Sequence, residues 1–301
     1  MRKRVMWLLV PALLLGACSD GGGTTSDEDA ADVLAAAFEA TGEEEATTLT
    51  LSLASTTESL TAAGELTEEQ ADLILGSQLV ISGVKADDPA DASARVALEV
   101  PDTDGFELLV DGTDLYLRAD VEGLASAVGE DTSQIDAFVQ RSGADFLQAA
   151  VDGEFLKFEG ADQLAGQLGT DPGQISEQQQ QLLEQFGNAL KQDAEVSSEG
   201  EDDVGEHFTV SVPLRKLYQR FLEFASQAGA PLPPGSLPPE SEIPEGDLTA
   251  DVWVADDKVA QFELDFLQFA KFEEGEEVPE GVDEMGLRIA LSYEAEEVSP
   301  P

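Results

Sequence analysis

Phe106-Glu107-Leu108-Leu109-Val110-Asp111-Gly112-Thr113-Asp114-Leu115-Tyr116-Leu117 is the stretch that decides the fold. Phe106, Leu108 and Val110 recur at the two-residue period of a strand, Asp111-Gly112 supplies turn chemistry, and Leu115 and Leu117 return on the same face. The pattern predicts a β-hairpin over 106–119. Two registers are open. A turn centred on Asp111-Gly112 pairs Leu108 with Leu115; a turn one residue later pairs Leu108 with Leu117 and Glu107 with Arg118. Both keep the same apolar residues on one side.

The alternation continues upstream. Leu49, Leu51 and Leu53 alternate with Thr48, Thr50 and Ser52 in a strand over 47–55 with one wet face, and further strands fall at 78–85 and 93–100. A helix over 32–40 places Val33, Leu34, Ala37 and Phe38 on one stripe with Gly42 as its stop, and Thr67 followed by Gln70 forms a capping box for a helix over 67–75. Downstream, 121–192 is mostly helical in pattern, interrupted by a strand-like 154–159, and includes an amphipathic helix marked by Ile175, Leu182, Leu183, Phe186 and Leu190. Phe208, Val210 and Val212 mark a strand over 206–212, and Pro213 opens a helix carrying Leu214, Leu217, Phe221 and Phe224. Residues 229–246 hold six of the 14 prolines and read as an extended loop. Strands follow at 247–255, 258–269 and 286–295; a three-residue loop at 255–257 aligns Leu248, Ala250 and Val252 with Leu264, Phe262 and Ala260.

The amino terminus carries Arg2, Lys3 and Arg4, then an apolar run over 5–15, then Leu15-Gly16-Ala17-Cys18, which holds the single cysteine. That run is too short for a permanent span, which takes about 20 residues. The layout is a lipoprotein signal: 1–17 is removed, the Cys18 thiol carries an acyl chain such as palmitate, 18–32 is a flexible tether rich in glycine, and 33–301 forms one domain. The expected location is the outer face of the cytoplasmic membrane.

The chain is acidic, with 63 Asp and Glu against 15 Lys and Arg, a net charge of −48. Such a surface repels nucleic acid. It suits solubility in salty surroundings, or capture of a basic partner or divalent cations. Enzyme signatures are scarce, and catalysis is not expected; no catalytic residue, metal ligand or cofactor is assigned. His207, the one histidine, falls on the outward phase of its strand and is expected to be an exposed structural residue. An EF-hand reading of Asp102-Thr103-Asp104-Gly105 puts Val100 at the first ligand position, where it cannot ligate, so that segment reads as a turn. Arg215, Lys216 and Arg220 gather on one helix and are expected to pair with nearby acids, with an anionic ligand site or a headgroup contact as the alternative.

A helix, repeated antiparallel strands, a helical middle and a return to strands make an α+β chain. With the lipobox, the hairpin quoted above and its Asp111-Gly112…Leu115-Tyr116, Asp251-Val252-Trp253-Val254-Ala255-Asp256-Asp257-Lys258-Val259, and the Leu287 to Tyr293 strand, the chain resembles the actinobacterial LppX/LprG-type lipoproteins. It departs from them in its long 121–192 and 229–246 stretches and in having Asp256-Asp257 where a turn glycine is expected. The resemblance implies a LolA-like fold, a curved antiparallel sheet or half-barrel whose concave face is covered by helices, with an apolar cavity for a lipid or lipoglycan and an envelope transporter as a transfer partner. The implied wall comprises Leu49, Leu51 and Leu53, then Phe106, Leu108, Val110, Leu115 and Leu117 of the hairpin. Val252, Val254, Phe262, Leu264 and Leu291 of the last strands complete it, with Phe221 and Phe224 on a covering helix. The same strands can equally form a filled core. The alternative function is a non-enzymatic acidic binding or scaffolding lipoprotein.

Overall fold

A computed structural model describes residues 27–64, 66–84, 93–112, 114–127, 129, 153–159, 193–227, 243–270 and 278–294. Cys18 and the signal segment, most of 121–192, and 228–242 of the proline-rich loop lie outside the described residues. The chain forms two compact units, one from residues 1–44 and 172–278, the other from 45–171 and 279–301. Both pair their strands antiparallel and carry helices, so the α+β class holds.

The first unit contains α1 (Asp27–Glu43), β7 (Glu195–Glu201), β8 (Glu206–Pro213), α5 (Leu214–Gln227), β9 (Asp247–Ala255), β10 (Lys258–Asp265) and α6 (Leu267–Ala270). Its strand order is β10-β9-β8-β7. Helix α1 starts at Asp27 and passes through Gly42, so it takes in residues 27–32 of the expected tether. The acidic Asp27-Glu28-Asp29 at its start explains the extension, since carboxylates stabilise a helix amino terminus. Ala30, Leu34, Ala37 and Phe38 line its buried stripe, and it packs against β7 and β10.

Opposite that stripe, Phe208 pairs with Val252, Val210 with Ala250 and Val196 with Val210, which puts all five on one face. Phe208 is 0% and Val252 1% exposed, so this face is a filled core. Thr41 ties helix to strand: its Oγ1 accepts from the Val259 amide at 3.1 Å and donates to the Ala37 carbonyl at 2.7 Å. The strand β7 was not legible in the sequence, because Glu195, Glu199 and Glu201 mask its period.

Two expectations in this unit are overturned. The β9–β10 connection is a two-residue turn in which Ala255 pairs with Lys258, and Asp256 and Asp257 take φ of 50° and 61°. Aspartate tolerates the left-handed region that hairpin turns of this kind need, so no glycine is required. A bulge between Val259 and Gln261 then sets Phe262 opposite Val252, where the longer loop had placed Ala260. The strand β10 also ends at Asp265, four residues short of the expected end. Asp265 Oδ1 accepts the Leu267 amide at 2.8 Å and starts the short α6. Buried Gln268 then bonds both backbone groups of Thr249, its Oε1 accepting from the amide at 2.7 Å and its Nε2 donating to the carbonyl at 2.9 Å.

The second unit contains β1 (Ala46–Ser55), α2 (Thr57–Ala63), α3 (Glu68–Gly76), β2 (Gln78–Val84), β3 (Ser93–Glu99), β4 (Phe106–Asp111), β5 (Asp114–Ala119), α4 (Val121–Ala127), β6 (Leu156–Glu159) and β11 (Met285–Ser292). The order is β6-β5-β4-β3-β2-β1-β11, seven strands. Thr67 and Gln70 form the expected capping box on α3. Helix α2 has no counterpart among the sequence expectations; its Ser59 is 1% exposed and accepts from the amides of Asp283 and Glu284 at 3.1 and 3.2 Å, fastening the approach to β11. The founding hairpin takes the second of its two registers. Leu108 faces Leu117, Glu107 faces Arg118, and Gly112 adopts a φ of 56° in the turn. The 102–105 segment is a turn, with Asp102 at φ 60° and Gly105 at φ 65°; a Cβ on Gly105 would lie 2.0 Å from the Leu98 carbonyl oxygen.

Candidate functional site: an apolar sheet face

Paired residues of an antiparallel sheet share a face, so the registers of the second unit sort its side chains. One row joins Ile289, Leu51, Leu79, Leu98 and Phe106. The next joins Leu291, Leu49, Ile81, Val96, Leu108, Leu117 and Leu156. A third joins Ala94, Val110 and Leu115. No charged side chain interrupts these rows, and the third continues through Gly83 to Thr47. The second row crosses all seven strands, about 29 Å at about 4.8 Å spacing.

These residues are half-buried, with two exceptions: Ile289 is fully buried and Leu98 is 38% exposed. A solid core of this composition sits at a few per cent exposure, as in the first unit. The apolar face of the second unit therefore keeps surface that a hydrocarbon ligand can cover.

The opposite face has the reverse character. Thr48, Ser82, Val80, Ala97, Leu109 and Tyr116 are buried there, and charged side chains share that face with them. Arg95 bonds Glu107 at 2.7 Å and Glu99 at 3.1 Å, and Arg118 bonds Glu107 at 2.9 Å while its guanidinium lies 5.0 Å from the Phe155 ring centroid. Lys157 meets Asp114 at 2.7 Å, and the hydrogen bond to that carboxylate holds its ammonium above the usual lysine range. This ladder makes the second face a charge-paired one.

Of the residues implied as a lipid wall, Leu49, Leu51, Leu53, Phe106, Leu108, Val110, Leu115, Leu117 and Leu291 converge on the apolar face. Val252, Val254 and Leu264 do not join them. They are 1%, 8% and 0% exposed in the core of the first unit and present no surface to a ligand. Phe262 is half-buried and packs, with Leu214 and Leu217 of α5, against the cluster of Leu248, Ala250 and Leu264. The side chains of Phe221 and Phe224 lie outside the described residues, although α5 spans both positions. Leu79, Ile81, Val96, Leu98 and Leu156 belong to the face and were missed. The alternation of β2 and β3 could have found the first four, since both strands pair in register with β1 and β4, whereas Leu156 joins only through the pairing of β5 with β6.

The remaining singled-out side chains find partners within the first unit. Lys216 and Arg220 both bond Asp193, at 2.7 and 2.9 Å, and Arg215 meets Glu245 at 3.1 Å, so the cationic cluster pairs with acids as expected. The Lys216 hydrogen bond, followed by that of Arg220, holds the Asp193 carboxyl below its ordinary range. His207 is not an exposed histidine. Its side chain is 25% exposed, stacks on Trp253 with ring centroids 4.5 Å apart, and bonds Asp251 through Nε2 at 2.8 Å. Trp253 Nε1 donates to Asp202 at 2.7 Å, and that bond is the main cause of a depressed Asp202 carboxyl.

The sequence matches no protein-family model, and no curated protein matches it. Among solved structures, the crystal structure of Mycobacterium tuberculosis lipoprotein LppX is similar, at 11% identity and a TM-score of 0.37, with 91% of this chain and 100% of that chain covered. What the apolar face can do follows from its own residues.

Proposed function

We propose that this protein is a lipoprotein of the cell envelope that holds a lipid or lipoglycan against the apolar face of its second unit, without catalysing a reaction on it. One observation carries the reading: three adjoining apolar rows, the central one crossing seven strands, stay for the most part only partly buried where a core would be closed. Covering such surface is worth about 25 cal/mol per Å² of apolar area removed from water. A carrier needs no reactive group for this, only an apolar wall that stands in for the bilayer. Acylation of Cys18 would moor the protein to the outer face of the cytoplasmic membrane, where a transporter is its natural transfer partner.

The test is uptake of a fluorescent fatty acid by the purified mature protein, together with lipid released from it by organic extraction. Leu108→Asp should lower uptake at least about tenfold, since a carboxylate in the central row is desolvated by any bound tail. Unchanged uptake by that variant rejects the site. Cys18→Ser should free the protein from membranes, and continued residence there rejects the anchor.

The net charge of −48 favours a second reading, an acidic scaffold for a basic partner or divalent cations. Binding of that kind falls steeply with salt, whereas burial of hydrocarbon does not.

A further inference from the structure

We propose that the apolar face selects lipids with uncharged headgroups against anionic lipids of the same hydrocarbon content. The inference rests on the carrier reading and adds the headgroup class.

Among the described residues, the cations of the second unit are Arg95, Arg118, Lys157 and Arg288. The registers put all four on the charge-paired face. Arg95 lies opposite Ser82 and Leu109, Arg118 opposite Glu107, Lys157 opposite Tyr116, and Arg288 opposite Ser52. Side chains alternate across a strand, so each projects away from the rows of Leu49, Leu51 and Leu108. Arg95, Arg118 and Lys157 are besides committed to carboxylates at 2.7 to 2.9 Å. The same holds in the first unit, where Arg215, Lys216, Arg220 and Lys258 pair with Glu245, Asp193 and Glu44.

A phosphate or carboxylate headgroup is recognised by arginine, lysine or clustered amides, because charge-assisted hydrogen bonds replace its lost hydration. The described apolar face offers none of the side chains that do this. The surrounding field is also adverse, with 63 acidic against 15 basic residues in the chain. A neutral lipid gains the same hydrocarbon burial and meets no such repulsion.

The experiment compares a fluorescent diacylglycerol with a phosphatidylglycerol of identical acyl chains, each offered to the mature protein from phosphatidylcholine vesicles. At about 0.01 M salt, where the Debye length is about 30 Å, the neutral lipid should bind at least about tenfold tighter. The ratio should shrink at about 1 M salt, where that length is about 3 Å. Leu98→Lys places a cation at the 38% exposed position of the face and should shift the ratio several-fold toward phosphatidylglycerol; Leu98→Gln should not. Equal or better uptake of phosphatidylglycerol at low salt overturns the proposal while leaving the carrier reading in place. So does a preference that salt leaves unchanged. Uptake of neither lipid overturns both.

Discussion

The two units present the same kind of strand and put it to opposite ends. In the first, Phe208, Val210, Val252 and Val259 stand on an alternating face and are nearly inaccessible, in a unit where α1 buries Leu34 and Phe38 against β7 and β10. In the second, Leu49, Ile81, Val96, Leu108 and Leu117 stand on an alternating face and stay half-open. Strand chemistry does not distinguish them; what lies against the strands does. A helix with an apolar stripe at the spacing of Ala30, Leu34, Ala37 and Phe38 fills one face to core density, while the other keeps apolar surface that a ligand can cover.

Substitution tests the contrast directly. Phe208→Ala should destabilise the protein by about 3–5 kcal/mol in chemical denaturation, the cost of a cavity in a closed core. Leu108→Ala should cost less, because the side chain is not fully removed from water, and should act mainly on lipid uptake. Equal losses from the two would erase the distinction between the faces. Next in size, Ser59→Ala leaves the amides of Asp283 and Glu284 without their acceptor and should cost about 1–3 kcal/mol.

A smaller effect concerns Asp193. Its carboxyl is held below the ordinary 3.8 by Lys216 and then Arg220, so the pair contributes stability above that value and loses it as pH falls through the lowered one. Lys216 is half-exposed, and solvent screening limits the contribution to about 0.2–1 kcal/mol. Lys216→Met should therefore lower stability slightly at neutral pH and flatten the acid limb of a stability–pH curve; an unaltered limb would place the main hold on Arg220. Smallest of all, Asp257→Gly should raise stability by up to about 1 kcal/mol, read as a shift in the denaturation midpoint, because φ of 61° is free for glycine and not for aspartate.

Most of the strand framework is legible in the sequence because a half-wet strand must alternate. The founding hairpin, the leucines of β1 and the Phe208 strand all declare themselves in that way. What escaped has identifiable causes. The strand β7 is written mostly in Glu and Ser, and α2 is a seven-residue helix with little periodicity to detect. The β9–β10 register turned on whether two aspartates accept positive φ, which residue type permits without requiring. Nothing local marks His207 as covered, because Trp253, its neighbour across the strands, is distant in sequence.

By itself, then, the sequence determined the alternating apolar faces, the antiparallel α+β class and the acidity. These follow from local period, composition and short spacing, each of which a linear chain carries without folding. Only the tertiary structure decided that the leucines of seven strands join into three rows, that Val252 and Leu264 belong to a closed core, and that the second unit's described cations gather behind the apolar face. Those outcomes depend on register and on which helix packs against which sheet. Both are set by contacts between residues far apart along the chain, and no local pattern encodes them.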